Sequence, residues 1–320
     1  MTTARINPLT ARLQLIGAAL LFSSGGAGIK ACQLTAWQVA SFRCGVAAVV
    51  LVLLIPATRR RYSWRTFLVG SAYATTLIAY VLSNKLTTAA NAIFLQSASP
   101  LYLLVLAPFF LGESIRRRDL VTMVLIGVGL ALCFGVAQPS SATAPDPAAG
   151  NWWGLLAGVA WAFTVLGLRW LASETTGRGS SGEPGAESDG GPPGEAVQAV
   201  VAGSVLAFTV LLPMALPLET AAGTPPTLSD WLWILYLGAF QIGLAYWLLT
   251  RGMAGVPAFE ASLLLLVEPV LSPFWAYGLH AEVPSLGTVA GGALILVATI
   301  GRTLIDWRSR RTAAGGEKRP

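Results

Sequence analysis

The 320-residue sequence contains a single histidine, His280, and only three cysteines. One imidazole cannot build a His-based metal cluster, and it makes acid–base catalysis a poor fit. Cys32, Cys44 and Cys133 are an odd number at no metal spacing, so no disulfide framework is expected. Charge is scarce as well: 11% of residues are Asp, Glu, Lys or Arg, against 54% hydrophobic. Soluble chains of this length are rarely so apolar. The sequence has no HExxH and no GxSxG, and SGGAGIKA at 24–31 lacks the Gly-Lys-Ser/Thr ending of a phosphate loop. These absences argue against a metalloprotease, a serine hydrolase and an ATPase. The chain reads as no enzyme, and nothing in it calls for a cofactor or a metal.

What it has is long apolar runs. A hydrocarbon layer about 30 Å thick needs roughly 20 mainly apolar residues per helix. Such windows fall near 12–29, 36–57, 66–86, 91–111, 119–138, 152–172, 195–217, 231–250, 259–279 and 285–304. They lack the period-2 alternation of an outer-membrane barrel. In lipid every backbone group must be satisfied within its own segment, which selects helices. The expected fold is therefore all-α and integral to the membrane, with ten transmembrane helices. The start, MTTARINPLTAR, has no convincing cleavage site and reads as the lead-in to a retained first helix.

Basic residues set the orientation. With the N-terminus inside, 18 of the 21 Lys and Arg residues fall on cytoplasmic segments, including Arg59–Arg61, Arg65 and Arg116–Arg118. Lys30 and Lys85 lie at the outside edge, and Arg43 lies within a span. Both termini are expected in the cytoplasm, with residues 305–320 as a basic tail. The net charge of +6 is split into short clusters at helix ends, so no nucleic-acid partner is expected. The partners are the lipid bilayer and a small-molecule substrate, with protons as a candidate coupling ion. Oligomeric state is not legible. Cys32, near the outside end of the first helix, is expected to label with an impermeant thiol reagent from outside.

The chain also repeats itself. A shift of 169 residues places Asn91 on Glu260, Ser99 on Glu268, Pro100 on Pro269 and Glu113 on Glu282 without a gap. AYVLSNK at 79–85 likewise matches AYWLLTR at 245–251. The repeats are 12–138 and 152–304, each with five spans. An odd number of spans forces the second copy to enter from the opposite side, giving inverted topology. Residues 173–195, rich in Ser, Gly, Pro and acidic side chains, read as a disordered cytoplasmic linker. Residues 137–151 read as an external loop joining the repeats.

The pattern of Asn91-Ala92, an apolar run, Pro100 and Phe-Leu-Gly-Glu at 110–113 resembles the paired EamA repeats of the drug/metabolite transporter superfamily. Its echo is Val-Glu-Pro at 267–269 with Ala-Glu at 281–282. Ser-Phe-Arg-Cys at 41–44 fits the same family, and the likeness is to its ten-helix exporter branch. The family implies secondary transport of small polar or amphipathic solutes, often outward and sometimes coupled to protons. The ending Leu-His-Ala-Glu at 279–282 departs from the family's Leu-Gly-Glu and suggests a looser turn.

Several residues stand out as candidate site groups. Glu268 is a charge near the middle of a span, which is costly unless it faces a cavity or a partner. It is read as exchanging a proton, or as bracing the helix break at Pro269. Arg43, deep in the second helix, reads as a binder of an anionic substrate group or as a partner of Glu268. Tyr73, Thr76, Tyr80 and Asn84 follow the helical period down the third helix, lining a cavity or bonding to neighbouring helices. Asn91, Gln96, Gln241 and Tyr246 are weaker cases of the same kind. Pro100 and Pro269 loosen two equivalent helices and are read as gating breaks.

Others have plainer readings. Glu260 complements a helix dipole, Glu113 and Glu282 close helices at the membrane edge, and His280 sits on the surface of an outer loop. Gly150, Gly154 and Gly158 form a packing ridge. Trp64, Trp152, Trp153, Trp170, Trp231 and Trp233 read as interfacial anchors. The functional reading is a secondary active transporter of the plasma membrane. It would export small metabolites, amino-acid-like solutes or drugs by alternating access. An uncoupled facilitator or channel, or a membrane sensor or enzyme, stands as the alternative.

Overall fold

The computed structural model describes residues 8–111, 117–135, 139–178, 194–216, 218–253, 255–256 and 258–316. Glu113 and residues 179–193 of the expected linker lie outside these, as do 317–320 of the basic tail. Among the described residues there is no strand, only the isolated bridges Leu34 to Thr220 and Ser141 to Ala144.

We number the helices in chain order. α1 runs Pro8–Ser23 and resumes as Gly25–Ala31, α2 is Ala36–Leu54, and α3 is Trp64–Leu86. α4 is Ala89–Ser97 followed by Ser99–Leu111, α5 is Arg117–Gly135, α6 is Pro147–Arg178 and α7 is Gly194–Ala215. α8 begins as Leu228–Leu235, passes through a π-helical stretch at Tyr236–Leu244 and ends as Ala245–Met253. α9 is Ala258–Leu265 followed by Val267–His280, and α10 is Leu286–Gly316. Among the described residues nine helices are long and apolar enough to cross a membrane, and a shorter apolar helix covers Leu120–Gly135.

Several boundaries differ from the sequence reading. α6 continues through Arg178 and α7 begins at Gly194, so both ends of the expected 173–195 linker are helical. α6 starts at Pro147, inside the expected outer loop, because a proline suits the first turn of a helix, where no N–H is needed. α10 likewise runs into the expected tail, as far as Gly316.

Polar side chains fix where the helices start. Thr35 accepts from the Gln38 amide while the Gln38 side chain returns to the Thr35 N–H, and Thr227 with Asp230 repeats this reciprocal cap. Ser63 and Thr88 cap α3 and α4 through the Thr66 and Asn91 amides. The breaks have causes too. Pro100 and Pro269 lack an N–H, and the helices part just before them, at Ala98 and Leu266. α1 parts at Ser24, where the Ser23 and Ser24 hydroxyls both turn back onto carbonyls a turn earlier.

Contacts show how the halves relate. One end of the bundle gathers the end of α1 and the start of α2, where Gln33 N–H meets Asp230 and Gln38 meets the Glu219 carbonyl. The α3 to α4 turn is there as well, bonded to the start of α6 through Asn151, and Thr288 of α10 reaches Asn91. α1 therefore finishes at the end where α6 begins, and α4 begins where α9 finishes. The pairing of helices is unchanged when the halves are exchanged: α3 packs on α6 as α8 packs on α1, and α2 on α7 and α5 on α10 pair with themselves. The Gly150, Gly154 and Gly158 ridge packs inward, against Thr87, Leu95 and Tyr102.

Two expectations fail at the same end. Cys32 is fully buried, its thiol bonded toward the Asp230 carbonyl, and burial pushes the thiol up to about 11. The Leu-His-Ala-Glu turn is closed rather than loose: Ala281 takes a left-handed conformation at φ 51°, and its N–H bonds to the Tyr277 carbonyl at 2.8 Å. Of the six tryptophans read as anchors, Trp64 and Trp152 are well exposed, while Trp170 packs edge-on to Trp64 beside the Arg65 guanidinium.

Two outcomes follow. Ala281→Gly relieves a left-handed alanine and should stabilise the fold by about 1 kcal/mol, seen as a higher midpoint in a thermal melt of detergent-purified protein. A thiol reagent should leave Cys32 unmodified in the folded protein and react only after denaturation, read by intact mass.

Candidate functional site

A cavity of about 130 Å³ lies at the centre of the bundle. α3 contributes Tyr73, Thr76, Leu77 and Tyr80, α4 Gln96 and α6 Trp161. Facing them are Phe22 of α1, Gln241, Ile242, Tyr246 and Leu249 of α8, and Leu265 and Glu268 of α9, with Arg43 of α2 at the side. The structure thus brings Arg43, Tyr73, Thr76, Tyr80, Gln96, Gln241, Tyr246 and Glu268 around one space. Asn84 is not among them. It is buried a turn further along α3, with its Nδ2 donating to the Tyr80 carbonyl at 2.9 Å and its Oδ1 close against Gly26.

The walls match in pairs across the two halves. Tyr80 and Tyr246 occupy corresponding places in the repeated segments 79–85 and 245–251, and both face the cavity. The 169-residue shift pairs Gln96 with Leu265, again both on the wall. The pairing stops at the charges: Ser99, the counterpart of Glu268, is buried but does not line the cavity. Polarity is therefore distributed unequally over a nearly symmetric frame.

Arg43 is 1% exposed. Its guanidinium donates to the Leu77 carbonyl at 3.1 Å and to Gln241 Oε1 at 3.5 Å, while its Nε has no partner. Both contacts are to neutral acceptors. Arg12 pairs with Glu260 and Lys30 with Glu282, whereas Arg43 and Glu268 face the same space without an ion pair between them. Tyr73 and Tyr246 meet edge to face with centroids 5.8 Å apart, and Phe22 meets Tyr246 in the same way at 5.3 Å. Glu268 lies close enough to Tyr80 and Tyr246 to act electrostatically on both.

Backbone irregularity surrounds this space. The α4 break at Ala98 follows Gln96, the α9 break at Leu266 falls between Leu265 and Glu268, and the α1 break at Ser24 follows Phe22. The π-helical stretch of α8 carries Gln241, whose side chain sits where a Cβ on Gly25 would come within 2.7 Å of it. π-turns are frequent at functional sites, and this one has no proline to announce it in the sequence. Discontinuous helices near a midplane site are the way many transporters expose polar backbone only to a cavity.

A model of the EamA-like transporter family matches residues 9–135 and 194–303. The chain belongs to the EamA-like transporter family. Among solved structures, 25 chains match. One of them, a crystal structure, superposes with a TM-score of 0.59 at 20% identity, covering 92% of this chain and 96% of the other. At that identity the likeness speaks for the fold. No curated protein matches. The EamA-like chain is thus a multi-pass membrane protein of a transporter family, and its lipid-facing helices and central polar cavity accord with that membership.

Three residues with plain sequence readings have more specific places. Glu260 pairs with Arg12 at 2.5 Å, an exposed contact joining the starts of α1 and α9. His280 is half-buried, its Nε2 2.9 Å from the Ala27 carbonyl. Glu282, read as a boundary residue, is buried with Lys30. The available signal was that Lys30 and Glu282 are isolated opposite charges at the same end of their helices.

Gln96 offers a test of the cavity wall. Its Oε1 is buried without a partner. Replacing a poorly satisfied polar group by an apolar one is close to neutral for folding. Gln96→Leu, which copies its counterpart Leu265, should therefore change stability by less than about 0.5 kcal/mol. A solute that uses this amide should bind about tenfold more weakly, measured by titration of purified protein.

Proposed function

We propose that the chain is a secondary active transporter that exports a small polar solute across the plasma membrane by alternating access. The observation that carries this reading is the cavity, where a guanidinium and a carboxylate face the same space unpaired, enclosed by helices that correspond across the two halves. Arg43 offers the bidentate geometry that suits a carboxylate. Glu268 offers a site for an ammonium group or a proton, and the rings of Tyr73, Tyr80, Tyr246, Phe22 and Trp161 cover apolar surface. A small zwitterion resembling an amino acid satisfies both charges at once, so this is the solute class we favour.

The ten-helix arrangement with both termini in the cytoplasm is part of the same proposal. It is supported by the clustering of arginines, including Arg12, Arg59–Arg61, Arg65 and Arg251, at the end of the bundle opposite Lys30 and Glu282. Residues of the breaks at Ala98 and Leu266 are proposed to flex as the two halves rock, with Pro100 and Pro269 keeping those segments from closing into continuous helix.

The test is flux in proteoliposomes carrying an internal pH dye, with amino acids and cationic drugs offered in turn. Wild type should show solute-dependent proton movement, and Glu268→Gln should abolish it. Arg43→Met should weaken transport of carboxylate-bearing solutes by on the order of tenfold or more while leaving cationic drugs less affected. Equal passage of labelled solute through wild type and Glu268→Gln, with no proton movement, would make the protein an uncoupled facilitator. Absence of any solute flux would leave a sensor or an enzyme.

A further inference from the structure

Lys30 and Glu282 lie at the end of the bundle opposite the arginine clusters and are not among the residues lining the cavity. Their side chains are only 3% and 4% exposed, and they pair at 3.1 Å. Burying two charges is costly, and the attraction between them offsets that only when their remaining hydrogen-bonding groups are satisfied. The Lys30 ammonium meets this demand through the carbonyls of Thr87, at 2.7 Å, and Thr143. Glu282 Oε1 accepts from the Ala89 N–H at 2.6 Å, in the first turn of α4, where the helix dipole also favours a negative charge, while its buried Oε2 faces the ammonium and makes no hydrogen bond.

The location of these partners matters more than their number. Lys30 belongs to α1 and Glu282 follows α9, and α1, α8 and α9 form one wall of the cavity. Thr87 and Ala89 belong to the α3 to α4 turn, and Thr143 precedes α6. Those three helices form the opposite wall. α1 and α9 are already joined to each other by Arg12 with Glu260 at one end and by Trp275 Nε1 to Ser23 Oγ, at 3.0 Å, further along. The buried pair is therefore held by one wall and hooked onto backbone groups of the other.

We infer that Lys30 and Glu282 form a latch that keeps the outer mouth of the cavity shut and releases for the cavity to face outside. Separation of the walls at this end removes both carbonyls from Lys30 and the Ala89 N–H from Glu282. Water then hydrates the two charges, which offsets the loss. This rests on the alternating-access reading above and adds the residues that hold one of its states.

The test places a reporter cysteine in the cavity, Leu77→Cys, in the full-length protein in oriented membranes. An impermeant thiol reagent is applied from each face separately, with the labelling of the parent chain subtracted. The latch predicts little labelling from the outer face in the reporter alone. Glu282→Gln and Lys30→Met should each raise it on the order of tenfold, because either leaves the remaining partner buried without its counter-charge in the closed state. Lys30→Arg, which keeps the charge, should remain low. Unchanged outer labelling in both charge-removing variants overturns the latch, as does high outer labelling in the reporter alone. Loss of monodisperse protein in both variants would make the pair a structural staple and overturn it too. Labelling needs no solute, so a failure of the flux assay tells against transport and is separable from a failure here.

Discussion

A peptide group in hydrocarbon has no water to bond to, so a segment crossing the membrane must satisfy its own N–H and C=O groups. A continuous helix does this everywhere and leaves nothing to offer a polar ligand. This chain departs from continuity at Ser24, Ala98 and Leu266 and through the π-turns of Tyr236–Leu244, and residues beside each departure line the same cavity. These departures thus lie beside an internal space that is sheltered from lipid. The outer surface of the helices carries apolar side chains such as Phe67, Val124, Phe274 and Val297.

The duplication supplies a frame with two equivalent walls, and the chemistry comes from where the copies diverge. Tyr80 and Tyr246 remain alike, but Gln96 faces Leu265 across the correspondence, and Glu268 stands where the other half has Ser99. α3 is uninterrupted α-helix while its counterpart α8 holds the π-turns. In the proposed transport cycle a shared geometry would let the walls exchange roles, while the unequal side chains put Arg43 and Glu268 on a cavity wall that has no matching charges in the other half.

How much of this was legible depended on the range of the interaction involved. Helix content, the repeat and the polar stripe on α3 follow from local periodicity and composition. The breaks before Pro100 and Pro269 follow from the covalent chemistry of proline. Asn84 continues the stripe in sequence yet lies beyond the cavity, because the helical period gives the face but not the depth at which the space ends. The π-turns carry no local marker. The contact of Lys30 with Glu282 joins residues far apart in the chain, and neither residue's surroundings in sequence name the other. Cys32 looked accessible for the same reason: the first turn of α8, where the Asp230 carbonyl meets the thiol, arrives from the opposite half.

The buried pair also bears on why a membrane protein keeps such an expensive contact. Replaced by well-packed apolar side chains, a buried ion pair often leaves a fold as stable or more so, so net stability is a weak reason to retain it. Its energy is instead strongly conditional on geometry: nearly balanced when every partner is in place, and unfavourable once one is removed without water to replace it. An apolar contact weakens gradually as surfaces part. A charge pair held by three backbone groups is satisfied either by those groups or by water and poorly by anything between, which sharpens the distinction between a shut mouth and an open one. The proposed rocking mechanism needs two states of similar energy with few intermediates, a requirement that a contact of this kind at one end of the walls would meet.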